Sequence, residues 1–311
     1  MINSTSENHV YDVAVIGAGS AGLQAAQTLG RMHQSTIVLG TDRYRNDPTG
    51  HMHNFLGHDG APPAELRVAA RKDAEAYADV RFLEAEVTRV SGELGAFVLE
   101  IAGEVDVRAR RVLLASGVRD TLPGIPGIAE NFGDLVAHCP FCHGHEYAGT
   151  PIGILGAGPH AGAMASMLQP LSADRVVLTH GETLDDATLA LLDRLGATVV
   201  TAPVAAVRRE GDRLIVRLAG GEELALGGMI VKTDWQQATP FAEQLGLEMS
   251  ELGAVLVDGF GRTDVPGVYA AGDMAQGPGV PMPMAAVLVA ASAGLVAAAA
   301  CVQDAALARI A

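Results

Sequence analysis

Residues 11–40, YDVAVIGAGSAGLQAAQTLGRMHQSTIVLG, decide the fold class. YDVAVI is a short, nearly continuous apolar run, the kind of strand that a parallel sheet buries on both faces. Gly17-x-Gly19-x-x-Gly22 follows at once. LQAAQTLGRM then has apolar residues at helical spacing, and STIVLG is a second strand. Strand, glycine turn, helix and strand make a βαβ unit. In that setting Gly17 permits the tight turn and Gly19 lets a pyrophosphate approach the backbone. Gly22 lets the helix pack close on the strand, and Ser20 and Ala21 open the helix whose N-terminus faces the phosphates. The acidic residue that usually ends the second strand is missing. The strand ends at Leu39-Gly40, and Asp42 is the nearby, displaced carboxylate.

Outward from this unit, residues 41–63 read as a loop rich in Gly and Pro, and residues 64–78 as a helix. Residues 80–113 alternate and carry turn signals, which predicts short strands in a meander. RVLLASG (111–117) is a buried strand ending in small residues. The pattern then restarts about 140 residues after the first strand. PIGIL (151–155) is a strand, Gly156-x-Gly158-x-x-Ala161 is a second turn of the same type, Pro170 limits the next helix, and RVVLT (175–179) is a strand. An NADPH site wants basic residues after that last strand to hold the 2′-phosphate. Here the stretch is Thr179-His180-Gly181-Glu182, and Glu182 would repel the phosphate. The second turn is expected either to bind NADH weakly or to keep the fold without the ligand. After Leu245 there are strands around 254–258 and 267–271, then AGDM, then an apolar helix. The fold class is α/β, with two Rossmann-like dinucleotide-binding domains.

Composition narrows the function classes. The 311 residues hold 21 Lys+Arg against 36 Asp+Glu, a formal charge of −15, and 49% are apolar. So much apolar material builds a core, which excludes intrinsic disorder. The charge repels phosphate backbones and anionic lipid, so neither nucleic acid nor a membrane surface is an expected partner. Three cysteines, Cys139, Cys142 and Cys301, are no secreted disulfide framework. The N-terminus MINSTSENHVYDV has neither the basic nor the apolar region of a signal peptide, which makes the expected compartment the cytoplasm. Residues 284–302 lack charge over the length of a membrane span. They are Ala-rich with no flanking basic cluster, so a buried helix is the expectation.

His138-Cys139-Pro140-Phe141-Cys142-His143-Gly144-His145-Glu146 is the segment richest in chemistry. A CxxC pair can bond and break reversibly, and a neighbouring imidazolium lowers a thiol pKa. His143 is the candidate acid/base, with His145 and Glu146 tuning it. Cys142-His143 also completes a c-type haem string, but that attachment needs export. Zinc would take Cys139, Cys142 and a His. No second CxxC or spaced His pair completes such a site, His51-x-His53 being the distant candidate. Two plain buried cysteines would leave the His/Glu neighbourhood unexplained. A redox-active pair is the favoured reading.

With these motifs in place, nearly the whole chain resembles the low-molecular-weight thioredoxin reductase family of flavoproteins. GAGSAG at 17–22 matches its FAD turn. Asn54-Phe55-Leu56-Gly57 is similar to its flavin-contacting Asn-x-Pro-Gly loop. Ala115-Ser116-Gly117 resembles its Ala-Thr-Gly strand end, and Val268–Asp273 matches its second FAD signature, in which the Asp after Gly272 binds near the pyrophosphate. The resemblance implies FAD as cofactor, with residues 1–118 and 245–311 as its discontinuous binding domain. Residues 119–244 would form an NAD(P)-binding-like domain carrying the CxxC. It also implies a homodimer. Departures point to a branch. His143 stands where thioredoxin reductases usually carry Asp, their HRR-like basic motif is absent, and Met284–Val287 replaces an Arg-Gln-Ala segment. CPFCHGHE and the RYRN…HMHNFLGHDG loop resemble the dithiol oxidases that close the disulfides of gliotoxin- and holomycin-type antibiotics. That branch implies a small-molecule dithiol substrate and O2 as the acceptor, with Cys139 as the exchange sulfur and Cys142 on the flavin side. An NAD(P)H-dependent thioredoxin or disulfide reductase, or a flavin-binding redox sensor, are the alternative readings.

Overall fold

The computed structural model describes residues 9–310. Its contacts divide the chain into two units: Met1–Asp47 with Ala64–Arg119 and Gln236–Ala311, and Pro48–Pro63 with Asp120–Trp235.

The first unit is built on β1 (Val10–Ile16), which lies parallel between β2 (Thr36–Gly40) and β6 (Val107–Leu114). Four of the seven β1 residues in a row, Val13–Ile16, are buried, as a central parallel strand requires. α1 (Ser20–Arg31) makes the crossover from β1 to β2, and α2 (Pro63–Glu75) leads to β3 (Val80–Glu84). β3 does not join a meander. It extends the parallel sheet beyond β2, pairing Thr36 with Val80 through Gly40 with Glu84. Only β4 (Val87–Ser91), β5 (Phe97–Ile101) and the first half of β6 form the antiparallel meander that alternation predicts. The second half of β6 pairs on its outer edge with the strand Val268–Ala270.

The apolar C-terminal segment folds as the helix Val287–Leu307. It has the length and hydropathy of a membrane span, and one third of its apolar window is buried. Its small residues let it press on α1: a Cβ at Gly294 would lie 2.0 Å from the Ala21 carbonyl oxygen. Ala297, Ala298, Ala300 and Cys301 share a core with Ala25, Ala26 and Leu29. A charged clasp ties this helix to the sheet. Arg262 donates two 2.8 Å hydrogen bonds to Asp304, and the Tyr269 hydroxyl donates a third at 2.6 Å.

The second unit repeats the parallel pattern. Its sheet runs in the order Thr198–Val200, Arg175–Leu178, Ile152–Leu155, Gly228–Val231, Val136–Ala137, each strand parallel to its neighbours. The helix Pro159–Met167 crosses from Ile152–Leu155 to Arg175–Leu178 and stops before Pro170. An antiparallel ribbon, Val204–Glu210, Arg213–Leu218 and Glu223–Leu226, covers part of the core. Tyr147 is fully buried against Gly228, and its hydroxyl donates to the Asp134 carbonyl.

Candidate functional site

In the first unit the ends of β1, β6 and the strand Val268–Ala270 converge. Gly17 holds φ +112°, and a Cβ there would fall 2.2 Å from the Ala115 carbonyl oxygen, so only glycine lets the turn pass the end of β6. A Cβ at Gly22 would lie 1.8 Å from the Gly17 carbonyl, which forces helix and turn together. Gly19 is different. Nothing lies within 4 Å of a Cβ placed there, leaving room for a ligand against the backbone. Gly19 is also the N-cap of α1, without a side-chain cap and without an acidic residue in the first turn. The free N–H groups at Ser20 and Ala21 therefore suit an anion.

The other predicted residues of this unit stand around the same opening. The Ala115 N–H donates to the Ile16 carbonyl, and the Ser116 hydroxyl lies 2.9 Å from Thr239 Oγ1. Gly117 holds φ +69° with open space beside it. Gly272 packs against Ala21. Asp42 lines a small cleft with Ala18, Gly40, Arg71 and Glu84 and accepts a 2.8 Å hydrogen bond from the Tyr44 hydroxyl. Burial and that carboxylate push the Tyr44 phenol up to about 12. Arg45, which the motifs do not flag, donates a 2.8 Å hydrogen bond to Asp273 and brings a cation to the opening. The uncapped helix, the open face of Gly19 and the Arg45 guanidinium fit the pyrophosphate of a dinucleotide such as FAD.

In the second unit Cys139 and Cys142 are joined in a disulfide, with Cα atoms 5.3 Å apart. Cys139 caps the short helix Pro140–His143, and Pro140 at its first position costs no hydrogen bond. Both cysteines are half-buried, while Phe141 between them is exposed. Among the described residues no group of three or more His, Cys, Asp or Glu is arranged to hold a metal ion.

His143 is half-buried. Its Nε2 lies 3.0 Å from the Gly133 carbonyl and 3.4 Å from the Thr49 hydroxyl, and its Nδ1 is buried without a partner. The ring stacks on Tyr147 at 6.4 Å. Burial pushes its pKa below the ordinary imidazole value, outweighing the Gly133 carbonyl and the Glu146 carboxylate, which raise it. The neutral ring is thus the resting form. Glu146 makes no hydrogen bond to His143. It lies 3.5 Å from His53, which reaches Asp59 on its other nitrogen at 3.4 Å. His145 is exposed.

The loop 48–63 thus meets the redox segment, residues 139–146, at three points. Thr49 faces His143, His53 faces Glu146, and the Asn54 amide donates to the Phe141 carbonyl at 2.7 Å. Asn54 takes φ +61°, a left-handed conformation that Asn tolerates better than most residues. Thr49 carries no motif, and only its contact with a residue 94 positions away reveals it.

The second glycine turn is formed. Gly156 and Gly158 have positive φ with open space beside them, and the helix Pro159–Met167 starts without a side-chain cap. Beyond the strand Arg175–Leu178, His180 accepts a hydrogen bond from the Val204 N–H, and Glu182 is exposed.

Comparison with known proteins places this architecture among relatives. The pyridine nucleotide-disulphide oxidoreductase family matches residues 11–294. A thioredoxin reductase of Claviceps purpurea, tcpT, is 31% identical over 86% of this chain and 88% of its own. An oxidoreductase from Agrobacterium tumefaciens superposes with a TM-score of 0.88 at 33% identity, over 96% of this chain and 99% of that one. The crystal structure of HlmI superposes with a TM-score of 0.87 at 35% identity, over 97% and 95%.

Proposed function

We propose a dithiol-oxidising chemistry for this chain, which belongs to the pyridine nucleotide-disulphide oxidoreductase family and is a thiol/disulfide oxidoreductase. In this reading it closes a disulfide in a small-molecule dithiol through Cys139–Cys142, with FAD as cofactor and O2 as acceptor. The observation that carries it is the half-buried His143 ring, with an unpartnered Nδ1, next in sequence to an oxidised cysteine pair.

A thiol of ordinary pKa, near about 8.5, is only slightly ionised at neutral pH, so exchange is limited by thiolate supply. His143 takes the proton of the first substrate thiol. The thiolate attacks Cys139 Sγ, the Cys139–Cys142 bond breaks, and Cys142 leaves as a thiolate. The second substrate thiol then attacks the substrate sulfur of the mixed disulfide and displaces Cys139. The substrate has lost two electrons and two protons, and the cysteine pair has gained them. FAD, when bound, would supply the two-electron acceptor for the reduced cysteine pair, with O2 as the final acceptor giving H2O2. Gly17, Gly19, Ser20, Ala21, Gly22, Asp42, Ala115, Ser116, Gly117, Gly272 and Asp273 would hold it, and Arg45 joins them.

A second reading, reduction of a disulfide by NAD(P)H, is favoured by the intact turn at Gly156 and Gly158. The exposed Glu182 and the lack of any Lys or Arg over 179–182 argue against NADPH. Two assays on the purified yellow protein separate the readings. Dithiol-dependent O2 uptake without nicotinamide supports the oxidase. Rapid NADPH oxidation coupled to disulfide reduction supports the reductase.

A further inference from the structure

We propose that Nδ1 is the proton-exchanging nitrogen of His143, and that the Gly133 backbone carbonyl, with Thr49 beside it, fixes the ring in the tautomer that leaves Nδ1 bare. The inference rests on the thiol-exchange reading for its chemical use, but its geometry stands independently.

A carbonyl oxygen only accepts, so the 3.0 Å contact from Gly133 places the ring hydrogen on Nε2. The Thr49 hydroxyl confirms the direction. Its own hydrogen is committed to the His51 carbonyl at 2.9 Å, so toward Nε2 at 3.4 Å its oxygen can only accept. Both neighbours of Nε2 are acceptors, and Nδ1 faces neither donor nor acceptor.

The carbonyl itself is rigidly aimed. Gly133 holds φ +90°, and a Cβ there would lie 2.6 Å from the Pro48 carbonyl carbon and oxygen. Its N–H is tied to the Val136 carbonyl at 2.8 Å. No side chain fits, and the peptide that carries the carbonyl is held through its own N–H, that of Asp134, which donates to the Asn131 carbonyl at 3.3 Å. Glu146, the residue that the sequence offers as the tuner, faces His53 instead.

The consequence is a base that waits for its substrate. Protonating Nδ1 in the resting site would create a buried donor without an acceptor, which is costly. Nδ1 is covered in the resting protein, so a thiol reaches it only after displacing what covers the ring; it then brings both the proton and the thiolate that accepts from the new N–H. The charges around the ring act in both directions: Glu146 and Asp134 favour protonation, His53 opposes it, and burial prevails.

The test uses the FAD-loaded protein labelled with ¹⁵N-histidine. Long-range ¹H–¹⁵N correlation is recorded in the oxidised state at pH 7.5, and His143 is assigned from the signals lost in His143→Gln. The expected result is a protonated Nε2 and a bare Nδ1. A protonated Nδ1, or shifts averaged between two tautomers, would overturn the proposal while leaving the oxidase reading intact. His143→Gln and His143→Asn supply the second arm. The Gln amide reaches the Nε2 position and can still donate to Gly133, so FAD content and melting temperature should stay near wild type. Its anaerobic flavin reduction by dithiothreitol should fall about 10²–10⁴-fold, the usual contribution of a general base. His143→Asn should lose that rate and melt lower as well. A wild-type rate in His143→Gln would remove the ring from proton exchange, whatever its tautomer.

Discussion

The side-chain amide of Asn54 donates a 2.7 Å hydrogen bond to the carbonyl of Phe141, the residue between Pro140 and Cys142. The resemblance to flavin-contacting loops assigns Asn54 to the cofactor, whereas this contact ties it to the redox helix. Asn54→Ala separates the two roles. Loss of a clamp on the helix should lower dithiol turnover about 10-fold, equivalent to about 1.4 kcal/mol, with FAD content unchanged. FAD content is read from the protein-to-flavin absorbance ratio. A colourless variant would make Asn54 a flavin ligand.

Arg45 should matter to cofactor retention. Its partner Asp273 is about one-fifth exposed, so without the guanidinium its carboxylate would repel a pyrophosphate. A hydrogen bond to a charged group contributes about 1.5–3 kcal/mol, or about 10- to 150-fold in affinity. Arg45→Ala should weaken FAD binding within that range, measured by the rise of flavin fluorescence on dilution, and Arg45→Lys should weaken it less. Unchanged retention would remove Arg45 from the cofactor site.

These residues mark where the sequence stops being legible. The first βαβ unit is readable because a run of Val and Ile must be buried on both faces and because three glycines at fixed spacing have separate steric tasks. The cysteine pair is readable because sulfur chemistry needs two thiols three residues apart. Arg45 and Thr49 sit in a loop without periodicity, and their partners lie 228 and 94 positions away. Glu146 looks like a partner for His143 because it is three residues away, yet the turn after the helix carries it to His53. The strand 80–84 reads as part of a meander because its local pattern cannot tell that β2 offers a free parallel edge.

The pH profile follows from His143. Burial holds its pKa below the ordinary value of about 6.5, so the competent neutral ring persists as pH falls through 6.5 and is lost only below it. The acid limb of dithiol-driven flavin reduction should therefore lie below pH 6.5. Glu146→Gln removes a charge that raises the ring's pKa, so it should move the limb to still lower pH. A limb above 6.5, or a shift upward in Glu146→Gln, would contradict the assignment.

Asp304 is a test of the clasp on the C-terminal helix. Hydrogen bonds from Arg262, against the cost of burial, hold its carboxyl below the usual carboxylate range. Its stabilisation is therefore full above about pH 4 and is lost as pH falls through the lowered folded value. Asp304→Ala leaves the Tyr269 hydroxyl without its acceptor and should cost about 1–3 kcal/mol at pH 7, seen in urea unfolding. The two stability curves should converge on acidification. A constant difference down to pH 2 would show that lost packing, rather than the ion pair, carries the effect.

Electrons flow from dithiol to O2 in the proposed oxidase, and an oxygen electrode reads that direction. The purified holoprotein is given dithiothreitol in air without any nicotinamide, and O2 uptake and H2O2 are followed together. One H2O2 should form per dithiol oxidised, with uptake abolished in both Cys139→Ser and Cys142→Ser. No uptake with dithiols, together with fast NADPH oxidation in the presence of a disulfide, would contradict it.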